Sequence, residues 1–112
     1  MILLIKDNMD KLSFLPIAKQ DIDNIIYYIS NVLNNRIAAR NLSNDFIKGA
    51  NSILDFPYGL PAYESSKKLE YEYRCLRIKN FLMFYTINEN NKTITIVRVI
   101  YKGRNIDNIL DN

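Results

Sequence analysis

Between Glu72 and Arg104 the chain reads EYRCLRIKNFLMFYTINENNKTITIVRVIYKGR, and this stretch leaves little freedom in how the molecule folds. Tyr73 to Ile78 alternates apolar and polar residues, Phe81 to Ile87 is almost wholly apolar, and Thr93 to Tyr101 is rich in β-branched residues. Each run reads as a strand. Lys79-Asn80 is short enough for a tight turn, and Asn88 to Lys92 offers asparagines that tolerate left-handed backbone, so both connections are expected to be hairpins. The middle run is apolar on both faces, which places it inside the sheet with helices over one side.

The upstream half supplies those helices. Residues 11–17, KLSFLPI, give a short strand that Pro16 ends or confines to a sheet edge, because proline has no N–H for a ladder. From Ala18 the period becomes helical, with Ile22, Ile25, Ile26, Ile29, Val32 and Leu33 at spacings of three and four. Gln20, Asp21, Asp23, Asn24 and Asn31 form the polar side, and the early aspartates suit the positive end of the helix dipole. This helix is expected to end near Asn34-Asn35. A second spans about Arg36 to Leu54 on the stripe Ala38, Ala39, Leu42, Phe46, Ala50 and Ile53, and the short break makes the two an antiparallel hairpin. Both stripes are assigned to the core. Pro57, Gly59 and Pro61 then force a loop, and residues 105–112 are expected to form one last helical turn around Ile109 and Leu110. The order β-α-α-β-β-β predicts an α+β fold, an antiparallel sheet with the helical hairpin packed on one face. Residues 1–10 are expected to be an N-terminal extension, with Ile2 to Ile5 as an added edge strand, and residues 11–112 a single domain.

Composition narrows the chemistry. The 112 residues include no histidine, so an acid or base near neutral pH must be a perturbed Lys, Tyr or carboxylate. The single cysteine, Cys75, rules out an internal disulfide and a multi-cysteine zinc site, and reads as a small strand hydrophobe. No metal cluster, phosphate loop or cofactor motif is present, so no metal and no cofactor are expected. The apolar run at the N-terminus is broken at Lys6, too short for a signal core or membrane span, and with one cysteine the cytoplasm is the expected location. Residues 65–104 hold nine basic against three acidic side chains, whereas the remainder is net acidic. A basic face suited to nucleic acid or an acidic protein partner follows.

The chemistry-bearing set is therefore Arg74, Arg77, Lys79, Arg98, Tyr101, Lys102 and Arg104. Arg98 stands inside the apolar run TITIVRVIY, where a buried unpaired guanidinium would be very costly. Either it forms a salt bridge within the domain, or it reaches an open face and forks onto phosphate or a partner carboxylate. Arg74 carries the same two readings. Tyr101 beside Lys102 and Arg104 is either half-buried packing at a strand end or a ring-plus-cation site for a base and its phosphate.

Several segments in order resemble one family. These are A-x-x-D-I-x-x-I-x-x-Y-I (Ala18, Asp21, Ile22, Ile25, Tyr28, Ile29), Phe56-Pro57, Y-R-x-L-x-I-x-N-F-L-x-F-Y (Tyr73 to Tyr85) and I-x-R-V-I-Y-x-x-R (Ile96 to Arg104). Together they resemble the RelE/ParE superfamily of bacterial toxins. That resemblance implies a toxin of a type II toxin-antitoxin, plasmid-stabilising pair, neutralised in a hetero-oligomer by a cognate antitoxin with an acidic, partly disordered tail. The family has two activities. RelE-like members are metal-independent, ribosome-dependent mRNA endonucleases, whereas ParE-like members arrest growth by inhibiting DNA gyrase. Leu82 stands where many RelE-like sequences carry an arginine, and the tail Ile109-Leu110-Asp111-Asn112 lacks their terminal tyrosine. The resemblance therefore favours gyrase over the ribosome and mRNA as target. In the RelE-like alternative Arg74 and Arg98 would stabilise phosphate charge, and Tyr101 with Lys79 or Lys102 would position substrate or move the proton. Arg77, Lys79, Lys102 and Arg104 are the expected target contacts. An inactive binding module of the same fold is the third reading.

Overall fold

The computed structural model describes residues 9–65 and 67–110. The edge strand expected over Ile2 to Ile5 lies outside the described residues. The elements run β1 (Lys11–Phe14), α1 (Pro16–Tyr27), a π-helical turn (Tyr28–Val32), α2 (Arg36–Asp55), β2 (Arg74–Ile78), β3 (Phe81–Asn88), β4 (Thr93–Tyr101) and α3 (Ile106–Leu110). They build the expected α+β fold, a single sheet in the order β1-β4-β3-β2.

One pairing departs from the expected antiparallel sheet. β2, β3 and β4 form the antiparallel meander, but β1 lies parallel to β4, with Lys11 opposite Thr93 and Phe14 opposite Ile96. The helical hairpin after β1 supplies the long connection that a parallel neighbour needs. Pro16 suits its place for the reason that barred it from the ladder. It is the first residue of α1, where its missing N–H costs nothing, and the last ladder bond is made just before it by Leu15 N–H to the Ile96 carbonyl at 2.9 Å.

The sheet is apolar on both faces. On one, Ile78, Met83, Tyr85, Ile94, Ile96 and Val99 pack against Ala18, Leu42, Phe46, Ala50 and Ile53 of the helices. At Gly49 a Cβ would stand 2.6 Å from Ile78 Cδ1, so α2 lies directly on β2 there. On the other face Tyr73, Phe84 and Ile100 are covered by Ile106 and Leu110 of α3, with Tyr63 and Leu69 of the crossover loop alongside. α3 is tied to that loop by Tyr63 Oη donating to Asp107 Oδ1 at 3.0 Å and by Lys67 Nζ donating to Asn108 Oδ1 at 2.6 Å.

A β-bulge decides which residues reach which face. Phe84 pairs with Arg98 but Tyr85 pairs with Ile96, so Val97 is an extra residue in β4. Ile94 and Ile96 point at the helices. Strict alternation would send Arg98 after them, whereas the bulge resets the count and delivers Val99.

The turns also differ in detail from expectation. Left-handed backbone falls on Lys79 (φ 54°) and Lys92 (φ 56°) rather than on the asparagines between β3 and β4. Asn88 acts instead through its side chain, whose Oδ1 accepts from the N–H groups of Asn90 and Asn91 at 3.0 and 3.3 Å.

The crossover loop is pinned from below by Tyr85, a fully buried ring whose hydroxyl donates to the Pro57 carbonyl at 2.8 Å. Tyr85→Phe leaves that carbonyl unpaired in the core and is expected to lower unfolding free energy in urea by about 1–3 kcal/mol. The same change at half-exposed Tyr101 is expected to stay within about 0.5 kcal/mol.

Candidate functional site

The two arginines of greatest chemical interest are held apart. Arg74 pairs across the ladder with Tyr85, whose ring belongs to the helix-side core, and Arg98 pairs with Phe84, whose ring belongs to the opposite cluster. Directly paired residues share a face, so the two side chains leave the sheet on opposite sides.

Each is also engaged within the chain. Arg98 Nε donates to Asp21 Oδ2 at 2.8 Å and Nη2 to Oδ1 at 2.9 Å, a two-pronged pair to α1 with the side chains only 22% and 14% exposed. Of the two readings of Arg98, the intramolecular salt bridge is the one observed. Hydrogen bonding to Asp21 pushes the guanidinium pKa further up against the opposing effect of burial. Arg74 donates through Nη1 to the Leu60 carbonyl and through Nη2 to Glu72 Oε1 at 2.9 Å, and its guanidinium lies 5.0 Å from the Tyr58 ring centre. It works as a strut for the crossover loop.

The other candidates gather at one end of the sheet, around the β2–β3 turn and the end of β4. Arg77 Nε donates to the Lys79 carbonyl at 2.9 Å, Lys79 Nζ stands 3.2 Å from Asp45 Oδ2, and Lys102 N–H donates to the Asn80 carbonyl at 2.9 Å. Arg104 N–H closes a turn onto the Tyr101 carbonyl at 3.0 Å. Tyr101 packs edge-on to Phe81, ring centres 5.9 Å apart, and lies over Gly103, where a Cβ would meet the ring at 2.8 Å. The positive charge thus sits on a sheet end rather than across a sheet face.

Beside this basic end runs an apolar groove of about 490 Å³, lined by Asn24, Ile25, Tyr28, Ile29 and Leu33 from the first helix and by Asn80, Phe81 and Tyr101 from the sheet. Tyr28 and Leu33 are more than half exposed. Sequence periodicity had placed the stripe through Leu33 in the core. The π-turn, which that periodicity did not show, brings its end to the surface. Under α3 a second cleft of about 350 Å³ lies between Leu15, Tyr71, Tyr73, Val97 and Ile109.

Acid–base and nucleophilic chemistry find little support here. Burial pushes the phenols of Tyr63, Tyr73 and Tyr85 upward, away from neutral pH. It raises the Cys75 thiol to about 11. Among the described residues, no group of three or more His, Cys, Asp or Glu side chains could hold a metal ion, and no helix is long and apolar enough to cross a membrane.

Two outcomes follow from these contacts. Asp21→Ala strands a largely buried guanidinium and frees the Val99 N–H, which donates to Asp21 Oδ2 at 2.9 Å, so it is expected to cost about 2–3 kcal/mol in denaturant unfolding. With its pKa at about 11, Cys75 is expected to be alkylated at pH 8 roughly 100-fold more slowly than an unburied thiol, measured by mass spectrometry under native conditions.

Comparisons with known proteins agree with this architecture. No curated protein sequence matches the chain. Among solved structures it resembles the chromosomal ParDE system of Pseudomonas aeruginosa at 19% identity and a TM-score of 0.66, covering 83% of this chain and 96% of that one. It also resembles the RelBE2 toxin-antitoxin complex of Mycobacterium tuberculosis (14%, TM-score 0.59, covering 87% and 95%). A further likeness is to the archaeal RelE–RelB complex of Pyrococcus horikoshii OT3 (11%, TM-score 0.57, covering 86% and 98%). At such identities these likenesses speak for the fold. The family is shown by sequence, because residues 12–106 match the profile described as the ParE toxin of the type II toxin-antitoxin system parDE. The chain belongs to the ParE toxin family, within the RelE/ParE superfamily.

Proposed function

We propose that this ParE-type toxin arrests bacterial growth in the cytoplasm by inhibiting DNA gyrase. A cognate antitoxin holds it silent, its acidic, partly disordered tail folding into the groove between the helical hairpin and the basic end of the sheet. The observation that supports a binding inhibitor over a nuclease is the placement of Arg74 and Arg98. Cleaving RNA by attack of a 2′-hydroxyl requires cations converging on one phosphate. Here the two leave opposite sheet faces, each committed to partners of its own chain. The face around Leu82 and Phe84 is an apolar cluster under α3.

An antitoxin partner is supported by the ParDE, RelBE2 and RelE–RelB structures, which are toxin-antitoxin systems or complexes. The groove fits such a tail physically. Its lining is largely apolar, Lys79 and Lys102 adjoin the lining residues Asn80 and Tyr101, and Arg104 borders the adjoining recess. An amphipathic helix with carboxylates along one side would bury its apolar stripe there and meet those cations.

Expression in bacteria, with and without the protein encoded beside it, tests both halves. The lone chain is expected to arrest growth and, once purified, to block gyrase supercoiling while transcripts stay intact; co-expression is expected to restore growth. Cleaved transcripts with normal supercoiling would reverse the target and install the RelE-like reading, with Arg74, Arg98 and Tyr101 as its catalytic candidates. Undisturbed growth would leave an inactive binding module. Replacing Lys102 and Arg104 by glutamate is expected to weaken the antitoxin complex roughly tenfold at low salt, by a factor that shrinks as ionic strength rises.

A further inference from the structure

One wall of the groove is wound differently from the rest of its helix. In an unbroken α-helix, positions seven apart stack on one side, so Val32 would share the groove with Ile25. The structure places Leu33 there instead, beside Ile25, Tyr28 and Ile29, and leaves Val32 outside the lining and 58% exposed. The cause is the π-turn. Leu33 N–H donates to the Tyr28 carbonyl, five residues back, at 2.9 Å, so this turn holds one residue more than an α-turn and rotates all that follows by one position. Its exit is fixed on the far side. Asn34 is left-handed at φ 53°, and Asn35 caps α2 by accepting from Ala38 N–H at 3.0 Å. Such turns are rare and frequently occur at functional sites.

We propose that the π-turn Tyr28–Val32 sets the register of the groove, making Leu33 rather than Val32 the anchor for the antitoxin's acidic amphipathic helix. The proposal rests on the groove being the antitoxin's docking site. Charge complementarity names that occupant, since the lining is apolar while Arg104 lines the adjoining recess and Lys79 and Lys102 are the chain neighbours of the lining residues Asn80 and Tyr101. Leu33 faces Phe81 and Tyr101 across the groove, and a helix seated between them would bury all three. Val32, one residue earlier and equally apolar, contributes nothing to that contact.

The test compares Leu33→Ala with Val32→Ala, both exposed enough to leave the core intact, with circular dichroism as the check on folding. Affinity of each purified chain for the protein encoded beside it is read by calorimetry. Leu33→Ala is expected to weaken binding by roughly tenfold or more, as for a central anchor, and Val32→Ala by less than about twofold. Equal losses, or a larger loss at Val32, overturn the register. Tight binding by both variants also overturns it, while leaving the docking partner standing. If the unaltered chain fails to bind its neighbour, the reading of the groove falls and takes the register with it.

Discussion

Asp21 accepts hydrogen bonds from Arg98 Nε, Arg98 Nη2 and the Val99 N–H, and that junction ties α1 to β4. β1 ends at Phe14, so it pairs with β4 only as far as Ile96. Beyond that point, among the described residues, the outer edge of β4 has no strand beside it. An exposed strand edge invites pairing with another chain. The Asp21 carboxylate takes the place of a carbonyl there by accepting from the Val99 N–H, and the two-pronged guanidinium opposite orients it. Because Asp21 belongs to α1, the same contact that closes the sheet edge also fixes where α1 crosses it. The far wall of the groove, from Asn24 to Leu33, is built on that crossing.

This arrangement uses a cation for architecture that the family resemblance had offered for catalysis. A guanidinium forked onto a carboxylate and three-quarters buried is a poor phosphate ligand, since turning toward RNA would give up both of its hydrogen bonds to Asp21 at a considerable cost. Arg74 is held by a carbonyl, a carboxylate and an aromatic ring. Of the other candidates, Arg77 donates to a backbone carbonyl and Lys79 pairs with the partly exposed Asp45, and both stand with Lys102 and Arg104 at one end of the sheet. Exposed charges of that kind guide an acidic partner toward the surface and contribute less once it is bound. The apolar groove beside them is the part suited to hold it.

The meander was legible because each of its runs carries its own signal. Phe81 to Ile87 is apolar throughout, Thr93 to Tyr101 is β-branched, and turns fall where glycine-free but asparagine-rich segments interrupt them. The helical hairpin was legible from the stripe Leu42, Phe46, Ala50 and Ile53, all buried. The direction of β1 was not. Four residues of alternating burial carry no information on which neighbour they join or which way they run, and that choice is made by the helices that follow. Nor could the sequence place the cations, because ladder pairing decides the face of each one. Arg74 and Arg98 look alike as strand arginines until Tyr85 and Phe84 are found opposite them.

The two features that escaped periodicity share a cause. β4 carries one residue beyond what its partner strand needs, Val97, and the first helix carries one residue beyond an α-turn before Leu33. In each case the count slips by one and a neighbour takes the expected position: Val99 enters the core where Arg98 would have gone, and Leu33 enters the groove where Val32 would have gone. The substituted pairs explain why only one slip left a trace in the sequence. A charged residue on an apolar face is costly enough to announce that something must move it, and Arg98 is such a residue. Val32 and Leu33 are both apolar and adjacent, so either satisfies a three-and-four spacing, and the winding that chooses between them is followed by the left-handed Asn34 and by Asn35, which caps α2. In β4 the extra residue decides what the core holds, whereas in the first helix it exchanges one exposed apolar side chain for another at the groove.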